Sequence, residues 1–350
     1  MKVVIIGGGI IGAALAHNLL RAGADVTVIA VGIGATGASF GWINASFYLD
    51  AAHFRLRAAG LEAWRRLDVL VNWSGALCWE KTGAAFGDQY AALTALGYPV
   101  QIIDDVDFTA LEPHVPAPTR ALRFSAEGMI EPDRVARTLL TGARQISGVA
   151  AIGIATRAGH VTGVETAQGE IDADRVIVAA GCHSGDLLKT VGVRLPLIER
   201  PGILLRTHSV PPRLAHVLVT PEGEVRQDAA GHIWMPTAAQ HQTDAGTTVE
   251  ERPDILADRA LVRLQGLLPN TPLKWEQVML AQRPMPQDGH PVIGACGPEG
   301  LFVATMHSGV TLAAITAELL APQILDSTLS NAQSDMVAPY SPERFQIAVM

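Results

Sequence analysis

The sequence predicts an α/β fold, α+β overall, in which a Rossmann-like nucleotide-binding domain is interrupted by β-sheet-rich inserts. Three observations predict it. The chain opens on an apolar strand, a glycine turn and a small-residue helix. A second apolar strand, Arg175–Val178, ends mid-chain in Ala179-Ala180-Gly181. The run from Gly300 to Leu320 returns to strand, glycine turn and helix. Between these pieces lie short strands and turns, so two discontinuous domains are expected and not two in tandem. Residues 1–72, 126–196 and 283–350 are assigned to the nucleotide-binding domain, and 73–125 and 197–282 to a substrate-binding domain.

Composition sets the outer limits. Of 350 residues 49% are hydrophobic and 17% charged, which predicts a packed core and no disordered tract. The net charge of −8 argues against nucleic acid or an anionic membrane as the main partner. Cys78, Cys182 and Cys296 are isolated and form no C-x-x-C pair, so neither a disulfide framework nor a thiolate metal site is expected; the reducing cytoplasm is the simplest location. Val3–Ile6 follow Lys2 in the manner of a signal peptide, but Gly7–Gly9 break the apolar run too early, so none is expected. Leu301–Leu325 is apolar, yet His307, Ser308, Gly309, Glu318 and Pro322 would be costly in lipid. It reads as a buried strand–turn–helix and not as a transmembrane segment.

The elements follow in order. Residues 3–6 form a buried strand, 13–22 a tight helix ended by Gly23, and Val26, Val28 and Ile29 a second strand. A small-residue loop, GIGATGASFGWINAS, leads to an amphipathic helix over 51–68, with Phe54, Leu56, Leu61, Trp64 and Leu67 on its broad apolar face. Strands are expected at 77–80, 99–103 and 121–125, separated by turns. Glu131-Pro132-Asp133 starts a helix through about 145, and strands follow at 149–156 and 161–167. Residues 197–282 read as alternating β structure with one helix near 253–268. The last twenty or so residues are polar and are expected to drape over the surface.

Gly7-x-Gly9-x-x-Gly12 directly follows a strand and opens a helix, the context that gives this pattern its meaning. Gly7 permits the tight turn, Gly9 the approach of backbone to a pyrophosphate, and Gly12 close helix–strand packing. The helix start and its positive end hold the phosphates. The acid that usually closes the second strand, where it meets the adenosine ribose, is replaced by Ala30. The motif alone does not separate NAD from FAD.

Five stretches separate them. "GGGIIGAALAHNLLRAGADVTVI", "GATGASFGWINAS", "RVIVAAG", "QRPMPQDGHPVIG" and "GLFVATMHSGVTLAAITAELLA" occur in the order seen in FAD-dependent amine and amino-acid oxidoreductases. The chain resembles the D-amino-acid oxidase superfamily, near glycine oxidase, sarcosine oxidase and D-amino-acid dehydrogenases. The resemblance covers essentially the whole chain, strongly in the cofactor-binding pieces and weakly in the inserts. It implies a Rossmann-like FAD-binding domain with a discontinuous, β-sheet-rich substrate domain. It also implies FAD as the cofactor, with Ala30 a local departure.

By that resemblance Gly7, Gly9, Ile10, Ile11 and Gly12 hold the pyrophosphate, and Ala30 and Val31 lie beside the ribose. Thr36, Ala38, Ser39, Gly41 and Trp42 match the loop running toward the flavin, and Ala180 and Gly181 the small turn against it. His307, Ser308, Gly309, Val310 and Thr311 match the turn at the pyrimidine edge, where donors and a helix N-terminus stabilise charge on the reduced ring. Arg283 matches the arginine that grips a substrate carboxylate, a task suited to a planar guanidinium. Arg283 and His307 are the candidate catalytic residues.

Residues 279–284 lack the flavin-linking cysteine of sarcosine-oxidase-like members, so FAD is expected to be non-covalent. Residues 231–250 lack the lysine those oxidases use toward oxygen, which favours a dehydrogenase. The implied activity is oxidation of the C–N bond of a small amino acid or secondary amine. A neutral amine passes hydride to flavin N5, and the imine hydrolyses to an oxo acid. The electron acceptor is O2 or a quinone or electron-transfer partner, and an oligomer is compatible with the sequence. Two alternatives stay open: an NAD(P)-dependent dehydrogenase, and a flavin-bearing subunit or degenerate homologue with a binding or assembly role.

Overall fold

The computed structural model describes residues 1–239, 246, 248, 249 and 251–345. The chain opens with β1 (Lys2–Ile6), α1 (Ile10–Arg21) and β2 (Asp25–Ala30). Val3–Ile6 are all buried, as a parallel strand covered on both faces requires. Ala13, Ala14 and Ala16 keep α1 slim enough to lie close on the sheet. A loop with a short β3 (Trp42–Ile43) leads to α2 (Ala51–Arg66), whose first turn is capped by Asp50 accepting from His53 N at 2.8 Å.

Next come β4 (Ala76–Cys78), α3 (Gly83–Ala95), β5 (Val100–Asp104), α4 (Asp105–Leu111), β6 (Arg120–Phe124), β7 (Gly128–Met129), α5 (Pro132–Leu139) and β8 (Arg144–Ser147). A meander of β9 (Ala151–Arg157), β10 (His160–Thr166) and β11 (Gly169–Asp172) precedes β12 (Arg175–Val178) and α6 (Ser184–Lys189). The second β-rich stretch holds β13 (Leu197–Thr207), β14 (Val217–Thr220), β15 (Gly223–Gln227), β16 (Ile233–Pro236), α7 (Pro253–Leu267) and β17 (Trp275–Pro286). The chain returns through β18 (Val292–Ala295), β19 (Leu301–Thr305), α8 (Gly309–Ile324) and α9 (Asn331–Val337).

Two large sheets result. The first has the order β18-β19-β12-β1-β2-β8, parallel except for β18. Its strand order reverses between β1 and β12, so connections leave in opposite directions there and a crevice opens at the carboxyl ends. The second is eight-stranded, β17-β13-β16-β15-β14-β4-β6-β5, and mixes both β-rich stretches of the chain. Its strand β17 runs unbroken past residue 283, pairing with β13 from Trp275 to Pro286. One core joins α1, α2 and α8 with the faces they cover, and a second lies between α7 and the eight-stranded sheet.

Several expected elements are corrected. The helix begun at Glu131 ends at Leu139, and Arg144–Ser147 is the outer strand of the parallel sheet. That strand is polar and exposed, so its residues read as helix surface. Two helices, α3 and α4, stand where only strands and turns were expected. α3 buries only Phe86 and Leu93, too few to show a helical face, and α4 is seven residues long with an Asp104 cap. The two expected strands at 149–167 gain a third, β11. Near the end α9 is exposed, but Tyr340 is 1% exposed and packs into the core; 346–350 lie outside the described residues. Leu301–Leu325 divides into β19 and α8, and no described helix is long and apolar enough to cross a membrane.

Candidate active site

A cavity of about 870 Å³ opens at the carboxyl ends of β1, β2, β12 and β19. Its floor is the glycine turn. Gly7 has φ +120°, and a Cβ there would lie 2.2 Å from Ala179 O, so only glycine lets β1 and β12 end side by side. A Cβ on Gly12 would lie 2.0 Å from Gly7 O, so α1 packs against the strand it follows without a side chain between them. Gly9, Ile10 and Ile11 line the cavity, and Thr36 Oγ1 accepts from Ile10 N at 2.9 Å. The first amides of a helix lack intrahelical acceptors and carry its positive end, so this corner is suited to a phosphate anion. That donor set, in a cavity of this size, fits a dinucleotide cofactor.

The segment 39–46 has little regular structure, and buried charges from distant elements hold it. Arg226 of β15, 0% exposed, donates Nε–H to Phe40 O and Nη1–H to Glu131 Oε1 at 2.7 Å. Arg57 of α2 donates to Asn44 O at 3.1 Å and to Asn44 Oδ1 at 2.5 Å. Glu127, between β6 and β7, accepts from Trp42 Nε1 at 3.0 Å, Ala45 N at 3.1 Å and Ser46 N at 3.0 Å. Burial lowers the Arg57 guanidinium to about 10 and raises the Glu127 carboxyl to about 7, against the hydrogen bonds it accepts.

The opposite corner is the start of α8. Thr311 Oγ1 donates to Trp42 O at 3.3 Å and accepts from Asn44 N at 3.2 Å. Trp64 of α2 donates its indole N–H to Val310 O at 2.8 Å. Ser308 precedes α8 with φ +55°, a left-handed conformation unusual for a residue with a Cβ, and its Oγ lies 3.2 Å from His307 Nδ1. Strain held at a turn facing a cavity is typical of ligand-clamping positions.

The wall toward the second sheet carries Arg283 of β17. Its side chain lies across β13 above Gly202, donating Nε–H to Arg200 O at 3.2 Å and Nη2–H to Pro201 O at 3.0 Å. Backbone carbonyls thus fix the plane of its guanidinium beside the cavity.

The structure therefore brings most of the sequence-predicted residues around one space. Ala30, Val31, Thr36, Ala38, Ser39 and Gly41 line it. So do Trp42, Ala180, Gly181 and Arg283, and the whole turn from His307 through Thr311. Gly12 does not reach it and contributes packing alone. Asp174 and His183 flank the small-residue turn after β12 and read from sequence as surface or satisfied polar groups; Asp174 accepts from Lys2 N at 2.7 Å, while His183 borders the cavity. Sequence reasoning missed Asn44, Arg57, Glu127 and Arg226. Arg57 had a signal: with Phe54, Leu61 and Trp64 it falls at i, i+3, i+7 and i+10, a charge inside an apolar stripe. Glu127 and Arg226 had none, since each acts across more than eighty residues of sequence.

Comparison with known proteins agrees with this geometry. Residues 2–323 match the family described as FAD dependent oxidoreductase. A glycine oxidase from Pseudomonas putida is 25% identical, with 98% of each chain aligned. A D-amino acid dehydrogenase from Methylobacterium nodulans is 26% identical over 95% of this chain and 99% of its own. The solved L-proline dehydrogenase from P. horikoshii shares the fold, with TM-score 0.84, 18% identity and 99% and 97% coverage. The nicotinamide alternative is thereby set aside: with its glycine turn, its reversal of strand order and a match over nearly all of its length, the chain belongs to the FAD-dependent oxidoreductase family.

Proposed function

We propose that the protein oxidises the C–N bond of a small amino acid or secondary amine, giving an imine that water hydrolyses to an oxo acid. One observation carries the reading. Arg283, on the sheet built from the β-rich stretches, faces the same cavity as the glycine turn and the His307–Thr311 turn. A carboxylate held by Arg283 would present its neighbouring α-carbon to the space between them. The names of the aligned relatives, a glycine oxidase and a D-amino acid dehydrogenase, support this substrate class.

In this reading Gly7, Gly9, Ile10, Ile11 and Thr36 hold the pyrophosphate, with Gly12 behind them. Ala30 and Val31 flank the ribose, and Ala38, Ser39, Gly41, Trp42, Ala180 and Gly181 follow the chain toward the ring. FAD is held without a covalent link, and when bound it supplies the acceptor for the hydrogen and the electron pair. Arg283 orients the substrate, and the protein binds the amine in its neutral form, so no protein base has to remove a proton. His307 and the amides that open α8 place donors where negative charge develops.

We assign residues 1–72, 126–196 and 283–350 to the cofactor and 73–125 and 197–282 to the substrate, with β17 crossing the boundary at 283. We place the protein in the cytoplasm, and electrons pass on to O2 or to a quinone or electron-transfer partner.

The test is an anaerobic screen of the yellow holoprotein against amino acids of both hands, N-methyl amino acids, prolines and simple amines. Bleaching of the flavin bands by a member of the set is expected. No bleaching by any of them would overturn the enzymatic reading in favour of a binding or assembly role. Acid precipitation should release the colour into the supernatant; colour retained on the polypeptide would refute the non-covalent assignment.

A further inference from the structure

We propose that Glu127 is a positioning residue for the cofactor cavity: its carboxylate fixes the segment Trp42–Ser46 and so sets how firmly that wall meets the ligand. The inference rests on the reading of this cavity as the FAD site. Glu127 is 0% exposed and lies outside the cavity lining, so it touches no ligand itself. It acts through four donors. Its Oε1 accepts from Ala45 N, Ser46 N and the Tyr98 hydroxyl at 2.8 Å, and its Oε2 from the Trp42 indole. Trp42 lines the cavity, as does Asn44, the residue between two of those donors, which holds Arg57.

The two amides and the Trp42 indole can only donate, which suits the ionised carboxylate, whereas the hydroxyls of Tyr98 and of the adjacent Ser46 can donate or accept. A protonated carboxyl brings a donor of its own: on Oε2 it faces the Trp42 indole N–H, which cannot accept, and on Oε1 it requires a hydroxyl to turn from donor to acceptor. The titratable and charged groups facing Glu127 are Arg57 on α2, Tyr98 ahead of β5 and Cys78 on β4. Burial keeps Arg57 at about 10, lifts Cys78 to about 12 and holds the Tyr98 phenol well above its usual value. Glu127, at about 7, is thus the member of this cluster that changes charge near neutrality. Below that pH burial of the neutral acid favours the fold as a whole, but the donors on the Trp42–Ser46 segment meet a weaker acceptor and that wall loosens locally.

Two measurements test this. The first needs no ligand: tryptophan emission of the apoprotein, followed from pH 5.5 to 8.5. A transition with a midpoint near 7 is expected in the wild type, absent from Glu127→Gln and from Trp42→Phe. Tyr98→Phe, which removes one donor but keeps the acid, should move the midpoint upward. The second is FAD binding by the apoprotein, followed by flavin fluorescence. Affinity in the wild type should fall about tenfold as pH drops through that midpoint, the effect of one buried hydrogen bond. In Glu127→Gln it should be lower throughout and lack that component.

A Glu127→Gln protein with the wild-type pH dependence, or a Tyr98→Phe protein with an unmoved midpoint, would overturn the proposal. Absence of FAD binding by the wild type at any pH would overturn the functional reading instead. The emission titration would then still decide what Glu127 does.

Discussion

In the proposed cofactor placement Ala30 lies beside the adenosine ribose, where it offers no acidic partner, and it lines the cavity at the end of β2. The strand still ends at the cavity, but its last side chain is a methyl group only 3.0 Å from where a Cβ on Gly8 would be. A longer side chain must extend away from Gly8, past Val31, which is 72% exposed. Ala30→Glu is therefore expected to tighten FAD binding about tenfold or more, the worth of a charge-assisted hydrogen bond; weaker binding would show that the ribose lies elsewhere. At Ser308 the backbone conformation decides. Ser308→Val, β-branched in a left-handed turn, should lower stability by about 1–2 kcal/mol and weaken FAD retention, whereas Ser308→Gly should be tolerated. Equal thermal unfolding of both variants would remove the strain argument. Arg283→Ala should leave the flavin spectrum intact and weaken carboxylate substrates roughly thirty- to several-thousand-fold, with Lys restoring only part. A carboxylate-free amine is the control, and equal losses for both would move Arg283 from substrate to fold.

Between elements, the cavity depends on α8 being held in place by α2. Gly60 of α2 faces the first turn of α8, where a Cβ would come within 2.7 Å of Thr311 O, and Trp64 one turn later donates to Val310 O. The same Thr311 bonds Trp42 and Asn44 on the adjoining loop. Gly60→Ala should push the two helices apart, lowering stability by about 1–3 kcal/mol and loosening FAD through the displaced turn. An unchanged urea midpoint with unchanged FAD affinity would refute this coupling. The elements of the parallel sheet were legible because their signals are local: an apolar run ends at glycines, and the chain order of such units implies the sheet. β8 was not legible, because a polar outer strand carries no apolar period. Nor were the clamps on 39–46, because Glu127 and Arg226 satisfy backbone groups far away in sequence, and nothing in their own neighbourhoods records that partner.

At the scale of the whole molecule, two buried groups with opposite shifts should shape stability against pH. His53 is held neutral by burial, with Arg57 and His290 beside it, and its Nδ1 accepts from Leu49 N at 3.2 Å. Its value falls from 6.5 to about 3. The folded protein therefore binds fewer protons there than the unfolded chain, and the stability His53 contributes is complete above 6.5 and lost as pH falls toward 3. Glu127 is shifted the other way, from 4.5 to about 7, so its contribution is complete below 4.5 and lost as pH rises through 7. Between 4.5 and 6.5 the two slopes have opposite signs, each approaching about 1.4 kcal/mol per pH unit, and they offset one another. Asp50, Asp228 and Asp288 are shifted downward from 3.8 and act below this window, while inside it the lowered His17 adds to the rising slope and the raised Glu80 to the falling one, so these two also oppose each other. Urea unfolding of the apoprotein should thus give a nearly level stability from pH 4.5 to 6.5. Glu127→Gln leaves the histidine slope uncovered, so stability should rise with pH across that window. His53→Gln leaves the glutamate slope, and stability should fall. Parallel profiles in all three proteins would mean that neither group is shifted by the fold, and the charge balance around the Trp42–Ser46 segment would have to be redrawn.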